Sequence, residues 1–239
     1  KDPLDSTSVE PDSENFKFKI KDLRVGIPKE YFVKGINPEV EKIIKKTIKK
    51  IEAEGVKIEE ISLPNTEFAL ACYYIIALAE ASSNLARFDG IKYGLSENQK
   101  DLLDVYLKTR GKGFGPEVKR RIMLGTYSLS SGYYDAYYAK AEEIRNLIKQ
   151  DFENVFKKVD LIFCPVSPFV AFKIGEKSQD PLSMYLVDIY TVSVNLAGLP
   201  SLSLPVGKIG SLPVGLQIIG NHFQEDKIFS MASFIEKML

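Results

Sequence analysis

The sequence predicts an α/β fold, a mixed β-sheet covered by helices on both faces. Two observations carry the prediction. Short apolar runs bounded by Gly, Pro or polar turns, at 23–27, 161–164, 202–206 and 214–219, read as strands. Between them lie longer stretches whose apolar residues recur every three or four positions, which reads as helix. Strands separated by helices place those helices on the sheet faces.

Taken in order, residues 1–17 are polar, hold Pro3 and Pro11, and read as an irregular lead-in. The strand at 23–27 is followed by Asn37 and Pro38, an N-cap residue and a proline at the first helical position. Val40, Ile44, Ile48 and Ile51 form one apolar stripe, and Gly55 ends the helix. With a second strand at 56–63 this is a βαβ unit, which implies a right-handed crossover and parallel strands. Lys42, Lys45, Lys46, Lys49 and Lys50 cover the opposite face of the helix at 38–54. Glu39, Glu41, Glu52 and Glu54 interleave with them, so a plain solvated face is favoured over an RNA-binding stripe.

Residues 66–88 are Ala-rich and helical, and 97–109 read as a polar amphipathic helix. Three alternating glycines at 111, 113 and 115 have neither a preceding strand nor Walker spacing, so they read as a flexible connection, not a phosphate loop. A helix at 117–127 precedes a long one from 132 to about 159. Tyr133, Tyr134, Tyr137 and Tyr138 on it read as core and edge packing. Pro165 closes the strand at 161–164, and 173–180 is a loop. A helical pattern begins near Pro181 and runs to Asn195, then breaks at 197–200, where Gly198 is free to take backbone angles other residues avoid. The strands at 202–206 and 214–219 flank a polar turn at 208–211, and 225–239 form the last helix.

A chain of 239 residues is long enough to bury a sizeable core. Its 45% hydrophobic and 27% charged residues are ordinary for a globular protein, and a formal net charge of zero makes no electrostatic case for a nucleic-acid partner. Run lengths predict no membrane span. Cys72 and Cys164 lie too far apart to form a disulfide framework, so a reducing cytoplasm is the expected location. The first residue is Lys1, and Leu239 falls inside a helical pattern, which points to a piece of a longer chain.

Few side chains could make or break bonds. A Ser-His-Asp triad would need His222, the one histidine, in what reads as a surface turn. One histidine and two distant cysteines give no transition-metal signature. Cys164, at a strand end, reads as a structural thiol rather than a nucleophile.

An ordered set of motifs narrows this further. DPLDSTSV (2–9), ASSNLARFDGIKYG (81–94), GFGPEVKRRIMLGTYSLSSGYYDAYYAKA (113–141), FCPVSP (163–168) and VNLAGLPSLSLPVG (194–207) followed by LPVGLQIIG (212–220) resemble the C-terminal half of the amidase signature family. Within it they are most similar to the branch that serves tRNA-dependent amidotransferases, and the resemblance runs along nearly all 239 residues. The family fold then implies that 1–239 is the C-terminal part of a single amidase domain. The family's catalytic Lys and two serines lie in a Gly/Ser-rich motif that has no match here. The nearest approach, SLSSG at 128–132, lacks its flanks. The resemblance therefore implies no catalytic residue in this chain and an inactive fragment.

The resemblance also implies a function: glutamine hydrolysis, supplying ammonia to convert Glu-tRNA(Gln) or Asp-tRNA(Asn). Implied partners are the B and C subunits, the N-terminal half of the same polypeptide, glutamine, and tRNA mainly through a partner protein, with no membrane. No cofactor is implied here, ATP and Mg²⁺ belonging to that partner. Free glutamine offers a carboxylate and an ammonium, which call for an Arg and a carboxylate. By resemblance these are Arg121 and Asp188, with Tyr73 as a third contact that its neighbour Tyr74 rivals. At about 100° per residue, Arg121 projects about 60° from Val118 and about 40° from Gly125, flanking the apolar side, while Arg120 points to solvent. A helix-positioning ion pair is the alternative for Arg121. Asp188 projects with Met184, Thr191 and Asn195, opposite Leu182, Tyr185, Leu186 and Ile189, a stripe that spacing alone leaves open between solvent and pocket. Two other readings stand beside this one: a stand-alone amidase, and a non-catalytic α/β module. A fold cut midway would leave a sheet edge unpaired and an apolar face exposed, predicting poor solubility.

Overall fold

The computed structural model describes residues 3–4, 19–32, 35–176, 184 and 186–239. It divides into two compact units, 1–70 with 146–239, and 71–145. Most of the lead-in at 1–17, and residues 177–180 of the expected loop, lie outside the described residues.

The first unit is built on five strands: β1 (Arg24–Pro28), β2 (Lys57–Ile61), β3 (Leu161–Pro165), β4 (Ser201–Ile209) and β5 (Leu212–Gly220). Their order is β2-β1-β3-β5-β4. The pairs β1–β2 and β1–β3 are parallel, and β3–β5 and β4–β5 antiparallel, so the sheet is mixed as expected. The parallel β1–β2 pair follows from the crossover helix α1 (Pro38–Ala53) between them. Asn37 Oδ1 accepts the amides of Glu39 (2.8 Å) and Val40 (3.4 Å), capping α1 as its sequence predicts. Val40, Ile44, Ile48 and Ile51 are buried, and Lys42, Lys45, Lys46, Lys49 and Lys50 are exposed or nearly so. Each such aliphatic burial contributes about 1.5–3 kcal/mol.

All five residues of β3 are buried, as befits the middle strand. Leu161 and Phe163 face a core shared with α1 and the last helix, α7 (Glu225–Met238), which contributes Ile228, Met231, Ala232 and Ile235. Ile162 and Cys164 face the other side, because strand side chains alternate. There the short helix α6 (Val192–Ala197) buries Val192, Ser193, Val194, Leu196 and Ala197. Both sheet edges carry protection. β2 exposes Lys57, Glu59 and Glu60, and β4 has Pro205, a register shift between Pro205 and Gly207, and Lys208. These edges are charged or interrupted, not apolar.

Four helices belong wholly or partly to the second unit: α2 (Ala69–Leu85), α3 (Leu102–Gly113), α4 (Pro116–Ser128) and the start of α5 (Lys140–Phe156). Three boundaries differ from the sequence pattern. α3 starts at 102, not 97, because Asp101 Oδ2 caps the Asp104 amide at 3.3 Å, and the Glu97 amide instead bonds Thr109 Oγ1 at 3.0 Å. Gly111 and Gly113 are the last turn of α3, so the run is not a flexible connection throughout. The expected long helix from 132 is a turn, then one π-helical turn (Asp135–Ala139) closed by Ala139 N donating to Tyr134 O (3.0 Å), and only then α5. Tyr133, Tyr134 and Tyr137 are 42–44% exposed, so the tyrosines pack at an edge and not in the core. Leu102, Leu103, Leu107, Met123 and Leu124 are exposed as well. By length and composition alone, the stretch Pro64–Leu85 (22 residues) suffices to cross a membrane, which run lengths did not predict. A core helix passes the same test.

Candidate functional site

Arg121 lies on α4, in the second unit. Its Nε donates to Glu117 Oε1 at 2.8 Å, one turn earlier. Arg120 grips the same carboxylate, Nε to Oε2 and Nη2 to Oε1, each at 2.9 Å. Glu117 is thus shared between two guanidiniums. The hydrogen bond from Arg121 acts most strongly on its carboxyl and, together with the bond from Arg120 and the charges of both guanidiniums, holds it below the usual range despite the upward push of burial. The side chains of Arg121 and Arg120 are 38% and 43% exposed, so the inward–outward contrast has the expected direction but little depth. The ion pair given as the alternative for Arg121 is present, at the surface rather than buried.

One turn after Arg121, α4 meets α2. A Cβ on Gly125 would lie 2.0 Å from Leu78 O, and Ser82 Oγ and Thr126 Oγ1 are 2.8 Å apart. This close crossing fixes the height of α4, and so of Arg121, over α2. Tyr73 is also on α2. Its ring meets Tyr74 edge-on, centroids 5.3 Å apart at 84°, and both are half-buried, so burial does not choose between them.

Asp188 lies in the first unit, and its backbone differs from the sequence pattern. Instead of one helix to Asn195 there is a 3-10 turn (Leu186–Asp188), a bend, and then α6. Leu182 and Tyr185 of the expected opposite face lie outside the described residues. The break has a local cause: Asp188 O accepts both Thr191 N (3.0 Å) and Thr191 Oγ1 (3.1 Å), a side-chain bond that competes with helix continuation. Of the stripe that spacing left open between solvent and pocket, Met184, Asp188 and Asn195 are exposed and Thr191 half-buried, and Leu186 of the opposite face is exposed too. α6 ends as its sequence requires. Gly198 takes φ 70°, its amide donates to Asn195 O and that of Leu199 to Val194 O, both at 3.1 Å.

Sequence reasoning missed a buried polar group on this side of the sheet. Tyr31, in the 3-10 turn after β1, has its hydroxyl 2.5 Å from Ser193 Oγ, 162 positions away. Burial pushes this phenol far above its ordinary value. Nearby, Cys164 Sγ donates to Gln217 Oε1 (3.6 Å), whose Nε2 donates to Ser201 Oγ (3.4 Å). No local pattern announces partners so far apart in the chain.

The side chains considered as nucleophile or base behave as expected. Cys164 is fully buried and burial pushes its thiol far up, and burial chiefly raises Cys72 to about 11. His222 is exposed in a turn. Among the described residues no group of three or more His, Cys, Asp or Glu could hold a metal. A cleft beside the end of β3, lined by Val166, Ser167, Phe169, Ser203 and Pro205, contains none of the three candidate residues. Of the candidates, Arg121 brings a guanidinium in the second unit and Asp188 a carboxylate in the first.

A model of the amidase family matches residues 1–229. Two proteins named as the A subunit of glutamyl-tRNA(Gln) amidotransferase, from Thermodesulfovibrio yellowstonii and Caldanaerobacter subterraneus subsp. tengcongensis, are each 59% identical over 99% of this chain, which covers 50% and 49% of their lengths. The crystal structure of the Thermotoga maritima protein of that name is 39% identical, with a TM-score of 0.70 over 91% of this chain and 43% of its own. The chain thus spans about half the length of these relatives. With the family model matching almost end to end, the chain belongs to the amidase family.

Proposed function

We propose that this chain is the amino-acid-recognising, C-terminal part of the glutamine-hydrolysing component of a tRNA-dependent amidotransferase. One observation carries the reading: 59% identity along 99% of the chain to proteins named as the A subunit of glutamyl-tRNA(Gln) amidotransferase. In this reading the Arg121 guanidinium takes the α-carboxylate of glutamine and Asp188 takes its ammonium. Tyr73 contacts the same amino-acid group. A serine outside these 239 residues attacks the side-chain amide of glutamine and ammonia leaves. Water then releases glutamate from the acyl-enzyme. B and C subunits receive the ammonia and, with ATP and Mg²⁺, amidate the misacylated tRNA, Glu-tRNA(Gln) or Asp-tRNA(Asn). Two free, buried thiols suit a reducing cytoplasm.

The test is glutaminase kinetics of the full-length protein in the assembled amidotransferase. Arg121→Ala and Asp188→Ala each leave a substrate charge without its partner, so KM for glutamine should rise about tenfold or more. Wild-type kcat/KM in both variants would remove the assignment.

A further inference from the structure

Tyr31 grips the segment that carries Asp188 at two points. Its hydroxyl lies 2.5 Å from Ser193 Oγ, five residues after Asp188. Its ring packs on Tyr190, two residues after Asp188, with centroids 5.3 Å apart and 36° between planes. Tyr31 is 4% exposed, Tyr190 5% and Ser193 0%, so neither contact is shared with solvent. Between those anchors Thr191 ties itself to the Asp188 carbonyl through N and Oγ1. Tyr31 is itself held in place through its neighbour: the Glu30 carboxylate accepts Ser62 Oγ at 2.5 Å and the Leu63 amide at 3.0 Å. A bend of this kind has no continuous helix ladder to fix its backbone. Its place relative to the sheet is set by what lies beneath it.

We propose that Tyr31 is a positioning residue for Asp188: the buried Tyr31–Ser193 bond and the Tyr31–Tyr190 contact fasten the Asp188 bend to the end of β1, so that the carboxylate stands ready for the ammonium of a zwitterionic amino acid. The proposal rests on the reading of Asp188 given above. Removing the phenol oxygen leaves Ser193 Oγ buried without that partner, and the bend relaxes. The loss falls on substrate binding and not on the bond-breaking step.

The test compares glutamine kinetics of Tyr31→Phe, Asp188→Asn and the double variant, in the full-length protein within the assembled amidotransferase. Tyr31→Phe should raise KM about five- to tenfold with kcat within about twofold. It should add nothing to Asp188→Asn, because residues acting through one another are not additive. Equal Tyr31→Phe effects in both backgrounds, or a fall in kcat at unchanged KM, would overturn the proposal, since a merely structural role predicts either. Ser193→Ala removes the same bond from the other side and covers the case in which Tyr31→Phe does not fold; wild-type KM in Ser193→Ala also overturns it. Failure of the underlying reading is separately visible: Asp188→Asn with wild-type KM removes the substrate role of Asp188, and the Tyr31 role with it.

Discussion

Gly125 of α4 lies against the Leu78 carbonyl of α2 so closely that a Cβ would come within 2.0 Å of that oxygen and 2.7 Å of Ser82 Cβ. Both nearest neighbours leave no flexible tip to swing aside, so Gly125→Ala must part the helices. Alanine gains about 1 kcal/mol of helix propensity over glycine, while overpacking costs about 1–3 kcal/mol or more. The clash wins, and thermal or urea unfolding should show net destabilisation. Because Arg121 lies one turn away, KM for glutamine should rise as well. Unchanged stability would mean that α2 and α4 have room to slide.

Most of the first unit was legible in the sequence because its signals are local. Val40, Ile44, Ile48 and Ile51 announce α1, Asn37 and Pro38 its start, and Gly198 the end of α6. The crossover length between β1 and β2 dictates their parallel pairing. What was not legible depends on partners distant in the chain or on competing side-chain bonds. Thr191 turns the Asp188 region from helix into bend, and Thr109 draws residue 97 away from helix. The Tyr31–Ser193 bond spans 162 positions. For the candidate site, it was the resemblance to the amidase signature family that pointed to Arg121 and Asp188, while spacing left Asp188 open between solvent and pocket, and the shared hold of Arg120 and Arg121 on Glu117 needed coordinates. One-dimensional periodicity ranks two adjacent arginines by angle and does not see a carboxylate that reaches both.

Glu30 makes stability depend on acid pH. Burial raises its carboxyl, but the bonds from Ser62 and Leu63 outweigh this and hold it below its ordinary 4.5. A depressed folded value contributes stability that is present above pH 4.5 and lost as the pH falls through the folded value. Glu30→Gln should therefore lower the melting temperature at pH 7, and the gap to wild type should close on acidification below 4.5. A gap that stays constant down to about pH 3 would assign the loss to geometry instead of charge.

The thiols and the histidine should prove irrelevant to hydrolysis. Cys164 is 0% and Cys72 2% exposed, and burial raises both thiols, so at about pH 8 neither supplies thiolate at a reachable place. A thiol reagent should label the native protein slowly and the urea-unfolded protein at once. His222→Ala, in an exposed turn, should leave glutaminase kcat/KM within about twofold in the assembled complex. Rapid native labelling with loss of activity, or a large His222→Ala defect, would restore a Cys or His mechanism that the burial pattern speaks against.

Glu117 offers the sharpest functional test of Arg121, because it already occupies the guanidinium that a substrate carboxylate would need. It is 51% exposed in its side chain and bonded by both Arg120 and Arg121. An exposed pair of this kind is worth about 0.2–1 kcal/mol, so Glu117→Gln should leave the unfolding midpoint almost unmoved. Its effect on binding has a definite sign. Removing the negative charge makes the local field around the two guanidiniums more positive, and an incoming carboxylate no longer competes with Glu117 for Arg121. KM for glutamine should fall by up to about fivefold at low ionic strength, the equivalent of about 1 kcal/mol, and return towards wild type in high salt as screening grows. A rise in KM would instead make Glu117 the residue that orients Arg121. No change at any ionic strength would mean that Arg121 does not meet the substrate, and its role is then structural.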